Sequence, residues 1–531
     1  MSERIKIVPY DTTLRDGVQA EDVTSNIGVK LAIASRLAEF GIPYIEGGFV
    51  GSNEEDDEFF KEAEGLNLWG SELVAFAKIA AVGSRVENDR SVEALLCVGT
   101  RVVTVVGKGS LYQAREILRT TGEENIRSIA DTISFLKAQR RRVFFDAEHF
   151  FDGFLANSDY SLETLIAARD AGAEAIILCD TNGGRRTDQI AQATKAAKVV
   201  LGESVVLGIH VHNDAGLAVA NTLAAVEAGA IQVQGTINGS GERTGNLNLC
   251  VFLTTAQLVY QMDIGDIDLT RINEVARFVE LKNGVIIDPR TPYVGELAFT
   301  HTAGMHADGM MKRPDAYQSL DPALVGREAR FVSTEQGGSA NVIVFAKRFG
   351  YELQKGDLQV RTLVERMKKL GRMGDAQEFL LLYEVLDNGK LPFNLLNRVT
   401  MITSGKSNTS GGDQFEEESN SLALVTVEVD GEIRTAKGES SQGALDAYAA
   451  ALKGAISDKF PEVTDVELME YSVPKTRQVG TSAVVEVHIT FGANGMRWTS
   501  IYRHADEQTA NDRALEQGYQ YYILQKRRGG I

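Results

Sequence analysis

The stretch Val206-Leu-Gly-Ile-His-Val-His-Asn-Asp214 reads as a strand that ends in polar residues; the helical run Leu217–Ala228 and a second strand-like run, Ile231–Gly235, follow it. The same alternation extends back to the start of the chain. Strand-like runs occur at Ile5–Tyr10, Tyr44–Gly47, Leu73–Ala77, Val102–Val106, Val143–Ala147 and Ala175–Leu178, separated by helical stretches such as Lys30–Phe40, Ser161–Ala171 and Asp188–Leu201. Eight such units, ending near Thr236, are the signature of a parallel sheet wrapped by helices and predict a (β/α)₈ barrel. An open doubly wound sheet is disfavoured, because no Gly-x-Gly-x-x-Gly follows the first strand.

Side chains alternate along a strand, so His210 and His212 share a face, and two imidazoles converging at a strand end suit one divalent metal. Two histidines alone are an incomplete ligand set. A second polar cluster, Asp11-Thr-Thr-Leu-Arg-Asp-Gly17, follows the first strand and offers a carboxylate and an arginine. Asp11, Asp16, Glu46, Lys78, Lys108, Glu148, Asp180 with Thr181, and Asn238 also fall at or just after predicted strand C-termini. Any one of these reads equally as a cap or turn residue. Together they mark the barrel mouth where active sites of this fold are built.

The 531-residue chain is too long for one ordinary core, and with 44% apolar residues it has ample material to bury. The three cysteines, Cys97, Cys179 and Cys250, are too few and scattered for a disulfide framework or a thiolate zinc site, which points to a reducing compartment. The N-terminal residues lack an apolar core and no apolar run is long enough to span a bilayer, so a cytoplasmic protein is expected. A formal charge of −18 disfavours nucleic acid or an anionic membrane as partner.

Beyond the barrel, expected at residues 1–265, an accessory region at 266–391 holds the amphipathic helix Asp268–Asn283, a loop-rich stretch Pro289–Gly326 with His301, His306 and Tyr317, and further helices through Ser339–Phe349 and Leu358–Lys369. Residues 392–531 show an internal echo. Strand-like Leu422–Val429 leads to the helix Ala444–Ile456, and strand-like Ala483–Phe491 leads through Arg497–Tyr502 to the helix Glu507–Leu524, predicting an α+β domain of duplicated ββα units. The Gly/Ser/acidic stretch Ser404–Ser421 reads as a mobile loop.

Thr13-Leu-Arg-Asp-Gly17, Glu46, His210-x-His-Asn-Asp214 and Gly239-Ser-Gly-Glu-Arg-Thr-Gly-Asn246 resemble the DRE-TIM metallolyases, in the branch of the 2-isopropylmalate, homocitrate and citramalate synthases. Thr302-Ala-Gly-Met-His-Ala-Asp-Gly309 looks like that branch's accessory segment, and the C-terminal duplication like its amino-acid-sensing, dimerising domain. Within the branch, Phe144-Phe-Asp-Ala-Glu-His-Phe-Phe-Asp-Gly153 and Tyr44-Ile-Glu-Gly-Gly-Phe-Val-Gly-Ser-Asn53 look most like the bacterial citramalate synthases. The resemblance implies an acyltransferase that joins acetyl-CoA to a 2-oxo acid. It assigns Asp16, His210, His212 and Asn246 as ligands of a divalent metal (Mn, Zn or Mg), with Glu46 orienting Arg15 or those ligands. Arg15 would face the ketone oxygen, and Glu148 and Thr181 would surround the oxo acid. His306 and Tyr317 would serve deprotonation of the acetyl methyl group and the acyl-CoA half of the reaction. A homodimer inhibited by isoleucine is the regulatory expectation.

Alternation puts Phe144, Asp146 and Glu148 on one face of strand five, so a carboxylate stands beside Glu148 where a branched side chain would want apolar walls. Pyruvate is therefore the expected oxo acid, with Asp146 beside it. 2-Oxoisovalerate would indicate a 2-isopropylmalate synthase, and 2-oxoglutarate a homocitrate synthase. A non-catalytic amino-acid sensor would require a broken barrel site, yet Arg15, Asp16, His210 and His212 are all present. His149 and His301 read as structural, and Cys179 as a core residue. Val18 and Gly438-Glu-Ser-Ser-Gln-Gly443 depart from the family's pattern, and the second leaves the effector open.

Overall fold

The computed structural model describes residues 4–529 except 22, 24, 302–303, 332–337, 409–414, 474–483 and 495. Eight strands, Val8–Asp11 (β1), Tyr44–Phe49 (β2), Glu72–Lys78 (β3), Val102–Lys108 (β4), Arg142–Glu148 (β5), Ala175–Asp180 (β6), Val206–Val211 (β7) and Gln232–Gly235 (β8), close into a barrel. All neighbouring strands are parallel, and β8 returns to β1 from Val8↔Gln232 to Asp11↔Gly235. Apolar, β-branched runs such as Val102-Val-Thr-Val-Val106 suit strands covered on both faces. Their outward side chains, including Ile45, Val103, Phe145 and Ile176, join Leu37, Ile133, Leu165 and Ile190 of the surrounding helices in one core. Helix ends are set locally. Asn26 accepts from Val29 N to start Ile27–Phe40, and Gly41 at φ +98° ends it.

Inside the barrel the layers change character along its axis. Tyr10, Val74, Val102, Phe144, Ala175 and Ile177 form a small apolar cluster. Buried polar groups, Glu46, Asp146, His210 and Gln234, come next on the same inward faces. An apolar plug thus supports a polar mouth.

The chain divides into two compact units, one running to Phe299 and including Leu320–Ala329, the other comprising Thr300–Ser319 and the residues from Arg330 onward. In the second unit, Thr300–His301 (β9) pairs in parallel with Arg330–Phe331 (β10). Helices Gly304–Lys312, Ser339–Arg348, Leu358–Leu370 and Asp375–Leu386 precede two similar modules. The first is an antiparallel sheet of Asn394–Asn408 (β11), Phe415–Val429 (β12) and Glu432–Ser440 (β13), followed by helix Ala444–Ile456. The second is Glu467–Ser472 (β14), Val485–Ala493 (β15) and Met496–His504 (β16), followed by helix Glu507–Arg527.

The expected duplication is present, with three strands in each module where two were expected. Leu396, Val399, Met401 and Ile402 of β11 are all exposed, so that strand lacks the alternation that identifies a half-buried one. The stretch Ser404–Ser421, expected as a mobile loop, is mostly hairpin arms: β11 and β12 pair from Thr403↔Asn420 to Asn408↔Phe415, with 409–414 outside the described residues. Backbone hydrogen bonds carry that ladder, and composition does not register them.

Candidate active site

The loop after β1 is built by its own side chains. Asp11 accepts from Thr13 N at 2.9 Å and from Thr13 Oγ1 at 2.8 Å, and Thr13 Oγ1 in turn accepts from Ile237 N at 2.9 Å. Asp11 is thus a turn former, and burial pushes its carboxyl up to about 7. The turn delivers Arg15 and Asp16 to the mouth. Arg15 Nε donates to Glu46 Oε2 at 2.6 Å, its guanidinium lies 4.1 Å over the Phe76 ring, and Glu46 Oε1 accepts from the Tyr10 hydroxyl at 2.7 Å. Glu46 thus orients Arg15 from beneath, leaving Nη1 3.4 Å from Asp16 Oδ2.

Asp16 Oδ2 lies 3.2 Å from His210 Nε2 and 3.8 Å from His212 Nε2, and the two imidazole nitrogens are 3.4 Å apart. Two donors each about 2.1 Å from one ion lie roughly 3.0–3.4 Å apart, so the three atoms converge as metal ligands do. All three residues are buried. Burial opposes ionisation of Asp16, but the Arg15 guanidinium and the hydrogen bond from His210 outweigh it and hold the carboxyl well below the usual range. Burial and the neighbouring His210 push His212 down to about 4. Against burial, the bond to Asp16 raises His210.

Asn246 faces His212 across an isolated antiparallel bridge, and among the described residues its buried Oδ1 has no hydrogen-bond partner, nor has His212 Nδ1. The Gly239–Gly245 loop places it. Asn246 Nδ2 donates to Ser240 O at 3.1 Å, Gly241 (φ +147°) would put a Cβ 2.1 Å from that nitrogen, and Gly245 (φ +87°) would put one 2.0 Å from Gly239 O. A carboxylate, two imidazoles and an orphaned amide oxygen fit a divalent cation.

Arg15, Asp16, Asp146, Glu148, Thr181, His210 and His212 line one cavity of about 760 Å³. Glu148 at the end of β5 is ion-paired with Lys108 at the end of β4. Thr181 Oγ1 accepts from His149 N at 2.8 Å, and Thr181 O accepts from Arg243, which also clamps Asp214 through bonds of 2.8 and 2.9 Å. Burial, reinforced by Glu46, pushes Asp146 up to about 7. Cys179 is buried and its thiol is pushed well above the usual range by burial and Asp146, which suits a core residue. His149 leans on Asp152 at 3.4 Å, and Asn238 donates to Ala276 O at 2.9 Å; both are structural contacts.

His306 and Tyr317 belong to the second unit. Helix Gly304–Lys312 and the turn Pro314–Tyr317 stack their rings at 4.1 Å and 18°, with Gly309 leaving room where a Cβ would sit 2.5 Å from the Tyr317 ring. His301 stacks instead on Phe331 at 5.6 Å. Thr302 and Ala303 of the quoted accessory motif lie outside the described residues.

Sequence reasoning gave Lys108 no role and missed Gln234 and Phe76. The alternating Gln232-Val-Gln234 on a short strand was the available signal for Gln234.

Known proteins match this chain from end to end. Residues 5–279 match the HMGL-like family, residues 293–375 the homocitrate synthase post-HMGL domain-like family, and residues 409–523 the LeuA allosteric (dimerisation) domain. The (R)-citramalate synthase of Synechocystis sp. is 38% identical, covering 96% of this chain and 95% of its own length. That of Aquifex aeolicus is 35% identical over the whole of both chains. A probable 2-isopropylmalate synthase of Methanopyrus kandleri is 32% identical over 92% of each. With a barrel, an accessory segment and a duplicated sheet module in the same order, the chain belongs to the (R)-citramalate synthase family.

Proposed function

We propose that the chain condenses acetyl-CoA with pyruvate and water to give citramalate and free CoA. The observation that carries this reading is the convergence of Asp16, His210 and His212 beside a guanidinium held from below by Glu46. These three residues, with Asn246, would hold a divalent ion (Mn, Zn or Mg). When bound, the ion supplies positive charge that polarises the ketone of the oxo acid. Arg15, fixed by Glu46 and Phe76, presents its guanidinium to the same oxygen, where negative charge develops as the new C–C bond forms. Thr181 and Glu148 surround the oxo acid, and Asp146 supplies the polar wall that favours pyruvate over a branched analogue. His306, stacked on Tyr317, is the candidate base for the acetyl methyl proton, with Tyr317 assisting the acyl-CoA half. Water then cleaves the thioester, releasing the thiol of CoA.

Full-length similarity to (R)-citramalate synthases supports the choice of oxo acid. The test is a panel of pyruvate, 2-oxoisovalerate and 2-oxoglutarate with acetyl-CoA, read as thiol release. Pyruvate should give the highest kcat/KM; a preference for either of the others would reassign the substrate and leave the reaction class intact. The same reading makes the duplicated module a dimerising, isoleucine-binding regulator of a cytoplasmic enzyme. The LeuA-type match and the exposed apolar residues of β11 support the dimer.

A further inference from the structure

Beneath the Asp16–His210–His212 cluster, Gln234 of β8 is completely buried and bonded at both ends of its carboxamide. Its Oε1 lies 2.9 Å from His210 Nδ1, and its Nε2 donates to Asp146 Oδ1 at 3.1 Å. The contact is built into the sheet, because Gln234 and His210 are register partners on adjacent strands.

A carboxamide has one donating end and one accepting end. Asp146 can only accept when ionised, so it takes the donating end, and the accepting oxygen is left facing His210. The imidazole must then donate from Nδ1. A ring held as a donor at Nδ1 leaves Nε2, the atom 3.2 Å from Asp16 Oδ2 and 3.4 Å from His212 Nε2, as the nitrogen whose proton, given to Asp16 in the metal-free protein, a cation would replace. Among the described residues His212 has no equivalent support, since its buried Nδ1 has no partner there.

We propose that Gln234, locked by Asp146, is a positioning residue that fixes the tautomer and ring orientation of His210 and thereby the affinity of the cluster for a divalent cation. The inference rests on the reading of Asp16, His210 and His212 as metal ligands. Partners of this kind typically contribute 10–100-fold to metal affinity.

The experiment is a Mn²⁺ titration of metal-stripped full-length protein at pH 8, following free Mn²⁺ by electron paramagnetic resonance, on four proteins: the parent, Gln234→Leu, His210→Ala and the double variant. Gln234→Leu should weaken binding about 10–100-fold in the parent and by less than about twofold once His210 is already replaced. Parent-like affinity in Gln234→Leu, or an equal loss in both backgrounds, would overturn the proposal. If Gln234→Leu does not fold by circular dichroism, the paired exchange Asp146→Asn with Gln234→Glu decides. That pair restores a donor opposite an acceptor and keeps an oxygen facing Nδ1, so it should retain binding within about threefold, whereas a fall to the His210→Ala level would refute the positioning role. Failure of the parent protein itself to bind Mn²⁺, Zn²⁺ or Mg²⁺ would remove the metal-ligand reading, and this inference with it.

Discussion

Arg15 is held by three different forces: an ion pair to Glu46, a cation–π contact with Phe76 and the charge of Asp16. Lysine could reproduce the charge but neither the fork nor the flat stacking surface. Arg15→Lys should therefore lower kcat by about 10²–10³-fold with the fold retained, checked by steady-state kinetics beside circular dichroism. His212→Ala removes one proposed ligand, and metal analysis after dialysis should show reduced occupancy; full occupancy with unchanged turnover would rule out its role. Asp11 allows a test in which the sign matters. Its folded carboxyl is raised from 3.8 to about 7, so its contribution to stability is fully present below pH 4 and is lost as pH rises through about 7. The melting temperature of Asp11→Asn relative to the parent should therefore climb between pH 5 and pH 8. A flat or falling difference would show that the buried carboxyl does not titrate in this range. At this scale the sequence was legible where chemistry needs a rare residue pair, as in His210-x-His212. It was ambiguous for Asp11 and Asn238, where a strand-end polar residue turned out to serve structure, Asp11 by building its own turn and Asn238 by bonding the backbone at Ala276. Gln234 was missed because the alternation Gln232-Val-Gln234 marks a shared face but does not reveal the partners that face it across the sheet.

Elements differ in how well their sequences announce them. The barrel strands are short, apolar and separated by helices, so their order and the polar mouth could be read directly. β11 escaped recognition because its apolar residues face outward, and the arms of the 404–421 hairpin because their pairing rests on backbone bonds. The Gly239–Gly245 loop lies between these cases: its glycines could be seen, but whether they served a turn or a ligand could not. The structure assigns them to placing Asn246. Gly245→Ala should cost about 1–3 kcal/mol through its left-handed backbone and the clash with Gly239 O. It should also weaken metal binding by displacing Asn246. Denaturant melts and a Mn²⁺ titration check the two effects separately.

For the molecule as a whole, the exposed Val399 and Met401 of β11, with Leu424 and Ile433 on the same face of the sheet, form an apolar surface of the kind that marks a subunit interface. Val399→Asp with Met401→Asp should turn the proposed dimer into a monomer in light scattering while sparing the barrel's secondary structure; an unchanged mass would place the interface elsewhere. Truncation is a poorer probe, because Ala376, Phe379 and Leu380 of helix Asp375–Leu386 share one core with Val487 and Trp498 of the last sheet. Isoleucine titrated into the full chain by calorimetry should give saturable binding; no heat from isoleucine, leucine or valine would remove the regulatory reading. The central claim remains the reaction itself. It is tested most directly by thiol release from acetyl-CoA with pyruvate, before and after chelation and after adding back a divalent cation. Pyruvate-dependent release that chelation abolishes and the cation restores is the expected result. No pyruvate-dependent release from metal-loaded protein, or full release after complete removal of metal, would contradict it.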